Sequence, residues 1–243
     1  MNTTWNDTRP ATAYSPFCVG YGGDDTGHEL SEDCLYLSII RPSGTTPTSA
    51  LPVAVWIHGG GLFMGGSNDP RYNLSFITQN SVEMKTPMLS ISIQYRLSAW
   101  GFLGGKEALE GGATNLGFRD QRLALHWIQE NIAAFGGDKG RVTIWGESAG
   151  AQSVGAQLLA YNGTPTSLSS HAHLTSQAAT TISSAPQLPN PAAQEISSSL
   201  SKAATTPPSP NSHTTHSSPT PPVPPRSGPH PPWTVSALSP SPR

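Results

Sequence analysis

Apolar positions in the first two thirds of the chain gather into short blocks, each ended by glycine, proline or a polar cluster. Four blocks carry the β-branched and aromatic residues that suit strands: Leu35 to Ile40, Pro52 to Ile57, Met88 to Gln94 and Val142 to Trp145. Pro52 to Ile57 is a continuous apolar run, the pattern of a parallel strand covered on both faces. From Phe118 to Phe135 the period changes: Leu123, Trp127, Ile128, Ile132 and Phe135 recur at helical spacing, and Gly136-Gly137 ends the run. Ala151 to Tyr161 reads as a further helix. The predicted order is β, β, β, α, β, α, an α/β arrangement.

That pattern stops abruptly. Residues 163 to 243 hold 17 of the 24 prolines and only four charged residues, Glu195, Lys202, Arg226 and Arg243. Such Pro/Ser/Thr-rich sequence cannot bury a core and is expected to be a disordered, low-complexity tail. The predicted division is therefore a folded region over 1–168 and a tail over 169–243. A net charge of −2 offers no basic patch, so no nucleic-acid partner is expected. No apolar run approaches the roughly 20 residues that span a bilayer, and Met1 to Asp7 lacks the apolar stretch of a secretory signal peptide. Sequons at Asn2, Asn6, Asn73 and Asn162 are candidate glycan sites if the protein is secreted.

Two strand ends carry chemistry. The block at Val142 runs into Gly146-Glu147-Ser148-Ala149-Gly150, a G-x-S-x-G pentapeptide between a strand and a helix. Alone the pentapeptide is a weak signal, but in this context it is a nucleophile elbow, with Ser148 as the nucleophile. The block at Pro52 runs into His58-Gly59-Gly60-Gly61, where consecutive glycines let amides turn toward one point and stabilise a developing oxyanion. Paired in this way, the two strand ends are the arrangement of lipases and esterases. His126 lies within the long helix and is read as a surface or core residue. Cys18 and Cys34 bracket a Gly- and Asp-rich loop; they form either a disulfide worth about 3 kcal/mol or two free buried thiols. His28, in that loop, has no metal-ligand spacing to another His or Cys and is expected to be exposed. No metal or cofactor is expected.

Several longer segments carry a resemblance: Ser31 to Leu37, Trp56 to Gly61, Asn115 to Leu125, Ile128 to Asp138 and Val142 to Gly150. Together, in this order, they resemble the type-B carboxylesterase/lipase family, the cholinesterase-related α/β-hydrolases, and within it a fungal member. The resemblance covers about residues 5 to 168. It implies a partial α/β-hydrolase fold, incomplete at both ends, and a carboxylic ester hydrolase that acts on a small-molecule ester outside the cell. It also implies Ser148 as nucleophile, the amides of Gly60, Gly61 and Ala149 as oxyanion hole, Glu147 near the site, and Cys18 to Cys34 as the family's first disulfide. The loop between those cysteines has no tryptophan, where cholinesterases place their choline-binding indole, so a carboxylesterase or lipase fits better than a choline esterase. The triad acid and histidine are expected after the serine. Glu195 and the five histidines there lie in Pro/Ser/Thr-rich sequence, so neither triad partner is expected in this chain, which leaves a non-catalytic truncated fragment as the alternative.

Overall fold

The structure is a computed structural model that describes residues 11–160, together with two strands at 171–175 and 233–238. Near its start β1 (Phe17–Cys18) pairs in parallel with β2 (Leu30–Ser31), a small ribbon at the base of the cysteine loop. The main elements follow as β3 (Leu37–Pro42), β4 (Leu51–Ile57), α1 (Ser75–Glu83), β5 (Leu89–Ile93) and two short helices, α2 (Ser98–Phe102) and α3 (Lys106–Glu110). The long helix α4 (Leu116–Asn131) ends in a 3-10 turn at Ile132–Phe135 and leads into β6 (Gly137–Glu147) and α5 (Ala149–Leu159).

Six strands form one sheet in the order β7-β6-β4-β5-β3-β8, where β7 is His171–Thr175 and β8 is Trp233–Leu238. The strands β7, β6, β4 and β5 run parallel, while β3 is antiparallel to both β5 and β8. Thus two segments of the Pro/Ser/Thr-rich region lie along the sheet, where the free N–H and C=O groups of β6 and β3 accept an extended backbone. The rest of the expected tail lies outside the described residues.

The sheet is covered on both faces. On one side Val53, Val55, Ile57, Ile91 and Ile93 pack with Leu125, Ile128 and Ile132 of the long helix region and Val154 of α5. On the other, Trp56 and Ile40 pack with Leu74, joined by Tyr72 and Trp145. Each predicted strand and helix is present, with ends that differ from those predicted by at most five residues. Leu123 departs from expectation: it is exposed, while Asp120, Gln121 and Arg122 of the same helix are buried. The polar side chains turn inward because each finds a partner there. Asp120 accepts from Arg96 Nε and Nη2 (2.8 Å each), and Gln121 donates to Ser153 Oγ (2.9 Å). Among the described residues no helix is long and apolar enough to cross a membrane.

Candidate active site

The two chemical motifs meet because their strands are neighbours. β4 and β6 run parallel with Ile57 opposite Gly146, so His58-Gly59-Gly60-Gly61 and Glu147-Ser148 leave the sheet at the same level. Ser148 takes φ 53° and ψ −121°, a conformation that L-residues rarely adopt, at the junction of β6 and α5. The approach is so close that a Cβ on Gly59 would stand 3.2 Å from Ser148 Cβ and 2.7 Å from Glu147 Oε2. A Cβ on Gly150 would fall on the carbonyl oxygen of Ile57. Glycine at these positions lets the turn sit directly against β4. Ala149 is buried at the first position of α5, so the positive end of that helix faces the serine, and the Gln152 amide donates to the Ser148 carbonyl at 3.0 Å.

Gly60 and Gly61 hold positive φ, 96° and 63°, in the turn that follows β4. The turn is anchored by His58, whose ring is buried and stacked on Tyr95 with centroids 4.4 Å apart. His58 Nδ1 lies 2.9 Å from the Gly59 carbonyl, which can only accept, so the proton is on Nδ1. Burial pulls the ring's pKa down to about 4, against the opposing influence of that hydrogen bond and of Asp69 and Asp24. The Tyr95 hydroxyl donates to the His58 carbonyl at 2.7 Å, and burial pushes its own pKa up. Glu147 is half-buried beside the glycine turn, and after burial it is the next influence that raises the pKa of the Tyr72 phenol.

The histidines of residues 11–160 are His28, His58 and His126. His58 is turned into the interior as described, and His126 is exposed on α4. His28 is not the free surface residue expected: it is half-buried and stacks on Phe17 at 4.1 Å, because the cysteine loop folds back over its own base. Cys18 and Cys34 are joined as a disulfide, so the free-thiol alternative fails. The loop they close holds short elements that its composition did not announce, a 3-10 turn at Gly23–Asp25 and the strand β2. Sequence reading missed Tyr95 and Asp25, which support the glycine turn. Neither carries a local signal, since Tyr95 simply follows a strand and Asp25 is one of two adjacent aspartates in a Gly-rich loop. A cleft of about 340 Å³ lies behind the disulfide, lined by Glu32, Arg96 and Trp100, and does not reach Ser148.

Both the sequence and the fold have known relatives. The sequence model described as the carboxylesterase family matches residues 1–213. Secreted lipase 1 of Botryotinia fuckeliana is 51% identical over 163 residues, 67% of this chain and 28% of the relative. Lipase 1 of Geotrichum candidum is 50% identical over 134 residues, covering 55% and 23% of the two chains. Liver carboxylesterase of Sus scrofa is 43% identical over 169 residues, covering 64% and 28%. Among solved structures, EstA of Aspergillus niger superposes with a TM-score of 0.59 at 36% identity, over 66% of this chain and 30% of that one. A PNB esterase superposes with a TM-score of 0.60 at 35% identity, over 70% and 34%. The chain spans about a quarter of the length of the curated relatives it matches.

Proposed function

This chain belongs to the carboxylesterase family, and on that premise we propose that it carries the nucleophile and the oxyanion hole of a serine carboxylic ester hydrolase. Ser148 Oγ attacks the ester carbonyl carbon, and a general base takes its proton. The amides of Gly60, Gly61 and Ala149 hold the charge that develops on the carbonyl oxygen, reinforced by the N-terminus of α5. Collapse of the tetrahedral intermediate releases the alcohol, which takes up a proton, and leaves an acyl-serine. Water then hydrolyses that ester and releases the acid. One observation carries the reading: Ser148 sits at a strained φ of 53° with its Cβ against Gly59, the start of the glycine turn. The substrate is a small-molecule carboxylic ester, and the loop without tryptophan disfavours a choline ester. Relatives named as secreted lipases favour a place outside the cell.

A second reading is favoured by the histidines whose side chains are described: His28 stacks on Phe17, His58 Nδ1 is held by the Gly59 carbonyl and His126 is exposed on α4. On that reading this chain is a non-catalytic fragment, whose Ser148 stays protonated and weakly nucleophilic for want of a base. A fluorophosphonate probe and a short-chain aryl ester separate the two, with Ser148→Ala as control. Rapid stoichiometric labelling that disappears in Ser148→Ala supports the hydrolase. Slow or absent labelling supports the silent fragment, and labelling that survives in Ser148→Ala removes the site assignment altogether.

A further inference from the structure

The glycine turn bends sharply, with positive φ at Gly60, Gly61, Leu62 (67°) and Gly65 (94°). Inside it the Gly60 carbonyl accepts from the amides of Phe63 and Met64, both at 3.1 Å. From outside, Tyr21 N–H donates to the Phe63 carbonyl at 2.7 Å and Ser98 N–H to the Leu62 carbonyl at 2.8 Å. The far end of the bend is held differently. The Gly65 amide donates to a carboxylate, Asp25 Oδ1, at 2.9 Å. Asp25 is buried, and its Oδ2 has no hydrogen-bond partner among the described residues; Gly20 lies close beside it, where a Cβ would stand 2.9 Å away.

A buried carboxylate with one oxygen unpaired is a poor way to stabilise a loop, because desolvating the group costs more than one amide bond returns. Local rules of this kind are broken where geometry matters more than stability. Asp25 is also fixed from behind. It lies within the segment closed by the Cys18–Cys34 disulfide, and that segment is tied at its base by the Phe17 amide donating to the Glu29 carbonyl at 2.9 Å. Its neighbour Asp24 pairs with Arg71 at 3.0 Å, beyond the turn. The carboxylate is thus a rigid post at the end of a bend whose other end leaves β4.

We propose that Asp25 is a positioning residue for the oxyanion hole: from the disulfide-closed loop it grips the Gly65 amide and fixes the bend that aims the Gly60 and Gly61 amides at the carbonyl attacked by Ser148. The assignment rests on the reading of Ser148 and those amides given above. Asp25 touches no reacting atom and acts only through the loop.

The test compares the full chain with Asp25→Ala, which removes the acceptor, and with Asp25→Asn, which keeps an acceptor oxygen without the charge. Amide hydrogen exchange over residues 58–66 reads the loop, with β4 and β5 as internal reference. Turnover of 4-nitrophenyl butyrate reads chemistry. In Asp25→Ala, exchange at Gly60, Gly61 and Gly65 rises about tenfold or more while the strands are unchanged. Its kcat falls roughly 10- to 100-fold, less than or similar to the loss of an oxyanion donor itself, while KM stays within about twofold. Asp25→Asn recovers most of both losses. Wild-type exchange in Asp25→Ala, equal damage in the two variants, or a rise in KM at constant kcat overturns the proposal. If Asp25→Ala does not fold, Asp25→Asn decides alone: a Gly65 amide protected as in wild type supports the grip, and a loosened one refutes it. A wild-type chain without turnover removes the hydrolase reading, while exchange still decides whether Asp25 holds the loop.

Discussion

Lowering the pH from 7 to 5 is expected to cost the fold about 2 kcal/mol through His58. The ring is buried, its Nδ1–H is given to the Gly59 carbonyl, and its Nε2 has no hydrogen-bond partner among the described residues. A second proton would therefore place an unpaired cation in the core, and burial lowers the pKa from 6.5 to about 4. The sign follows from linkage. The folded value lies below the unfolded one, so between pH 6.5 and about 4 the unfolded chain binds more protons. Stability is whole above the unfolded value and is lost as pH falls toward the folded one. At full extent the difference is worth about 3 kcal/mol; at pH 5, with the folded ring only about one tenth protonated, roughly 2 kcal/mol is gone. Asp69, whose burial is outweighed by hydrogen bonds from Arg71, titrates below the ordinary carboxylate range and so contributes its own loss at lower pH. Urea unfolding followed by tryptophan fluorescence at pH 5, 6, 7 and 8 reads the effect as a drop in midpoint of about 1 M. His58→Asn, whose amide nitrogen takes the place of Nδ1, should flatten the dependence across this window. An equal slope in wild type and His58→Asn would refute the assignment.

Two further outcomes follow from the same geometry. Gly150→Ala drives a Cβ onto the Ile57 carbonyl and to 2.9 Å from the His58 carbonyl, both backbone atoms of the sheet end, and should cost about 3 kcal/mol and lower Tm by about 6–12 °C. Gly23→Ala, where a Cβ meets nothing within 4 Å, is the control and should stay within about 0.5 kcal/mol; equal melting of the two by scanning calorimetry would contradict the packing described. Reducing the Cys18–Cys34 bond, which spans 16 residues, should destabilise the fold by about 3 kcal/mol, seen as a lower Tm in reductant that Cys18→Ala/Cys34→Ala reproduces without it.

What could be read from sequence was what is local. Val53 to Ile57 running into His-Gly-Gly-Gly, and Val142 to Trp145 running into Gly-Glu-Ser-Ala-Gly, are complete signals within a dozen residues, and each motif follows a strand. The helix α1 could not be read, because its pattern points the wrong way. Its apolar Phe76, Ile77 and Val82 are exposed, while Thr78 and Ser81 are buried. The polar pair turns inward because Thr78 Oγ1 donates to Ser90 Oγ at 2.7 Å and Ser81 Oγ accepts from the Met88 amide at 3.1 Å. Those partners are set by the sheet and not by the helix. The early part of β6 was invisible for a related reason. Asp138-Lys139-Gly140-Arg141 is polar and bulges from the ladder between the pairs Gly137–Leu51 and Val142–Val53, so its place in the strand is set by β4 on either side of it. Asp25 could not be told from Asp24 until the loop folded over Gly65.

The buried polar stripe of α4, odd for a helix that packs on a sheet, is explained by the strain at Ser148. A non-glycine residue held at φ 53° costs on the order of 1–3 kcal/mol and persists only where its surroundings over-determine it. On the strand side, the Gly150 backbone lies against the Ile57 carbonyl and leaves the turn no room to relax. On the helix side, Ser153 Oγ donates to the Ala149 carbonyl at 2.8 Å and accepts from Gln121 Nε2 at 2.9 Å. Further along, Gln157 Nε2 donates to the Phe118 carbonyl at 2.9 Å, and Arg122 Nη1 donates to the Gln157 carbonyl at 3.2 Å. These bonds join α5, from its second turn to its last, to α4, 32 to 39 residues earlier in the chain. An apolar seam between the two helices would bury as much surface but would let α5 slide by fractions of an ångström, since dispersion contacts have little directionality. Directed hydrogen bonds do not permit that slide. The amides of Gln121 and Gln157 therefore fix the axis of α5, the axis of α5 fixes Ala149, and Ala149 fixes the serine against the glycine turn.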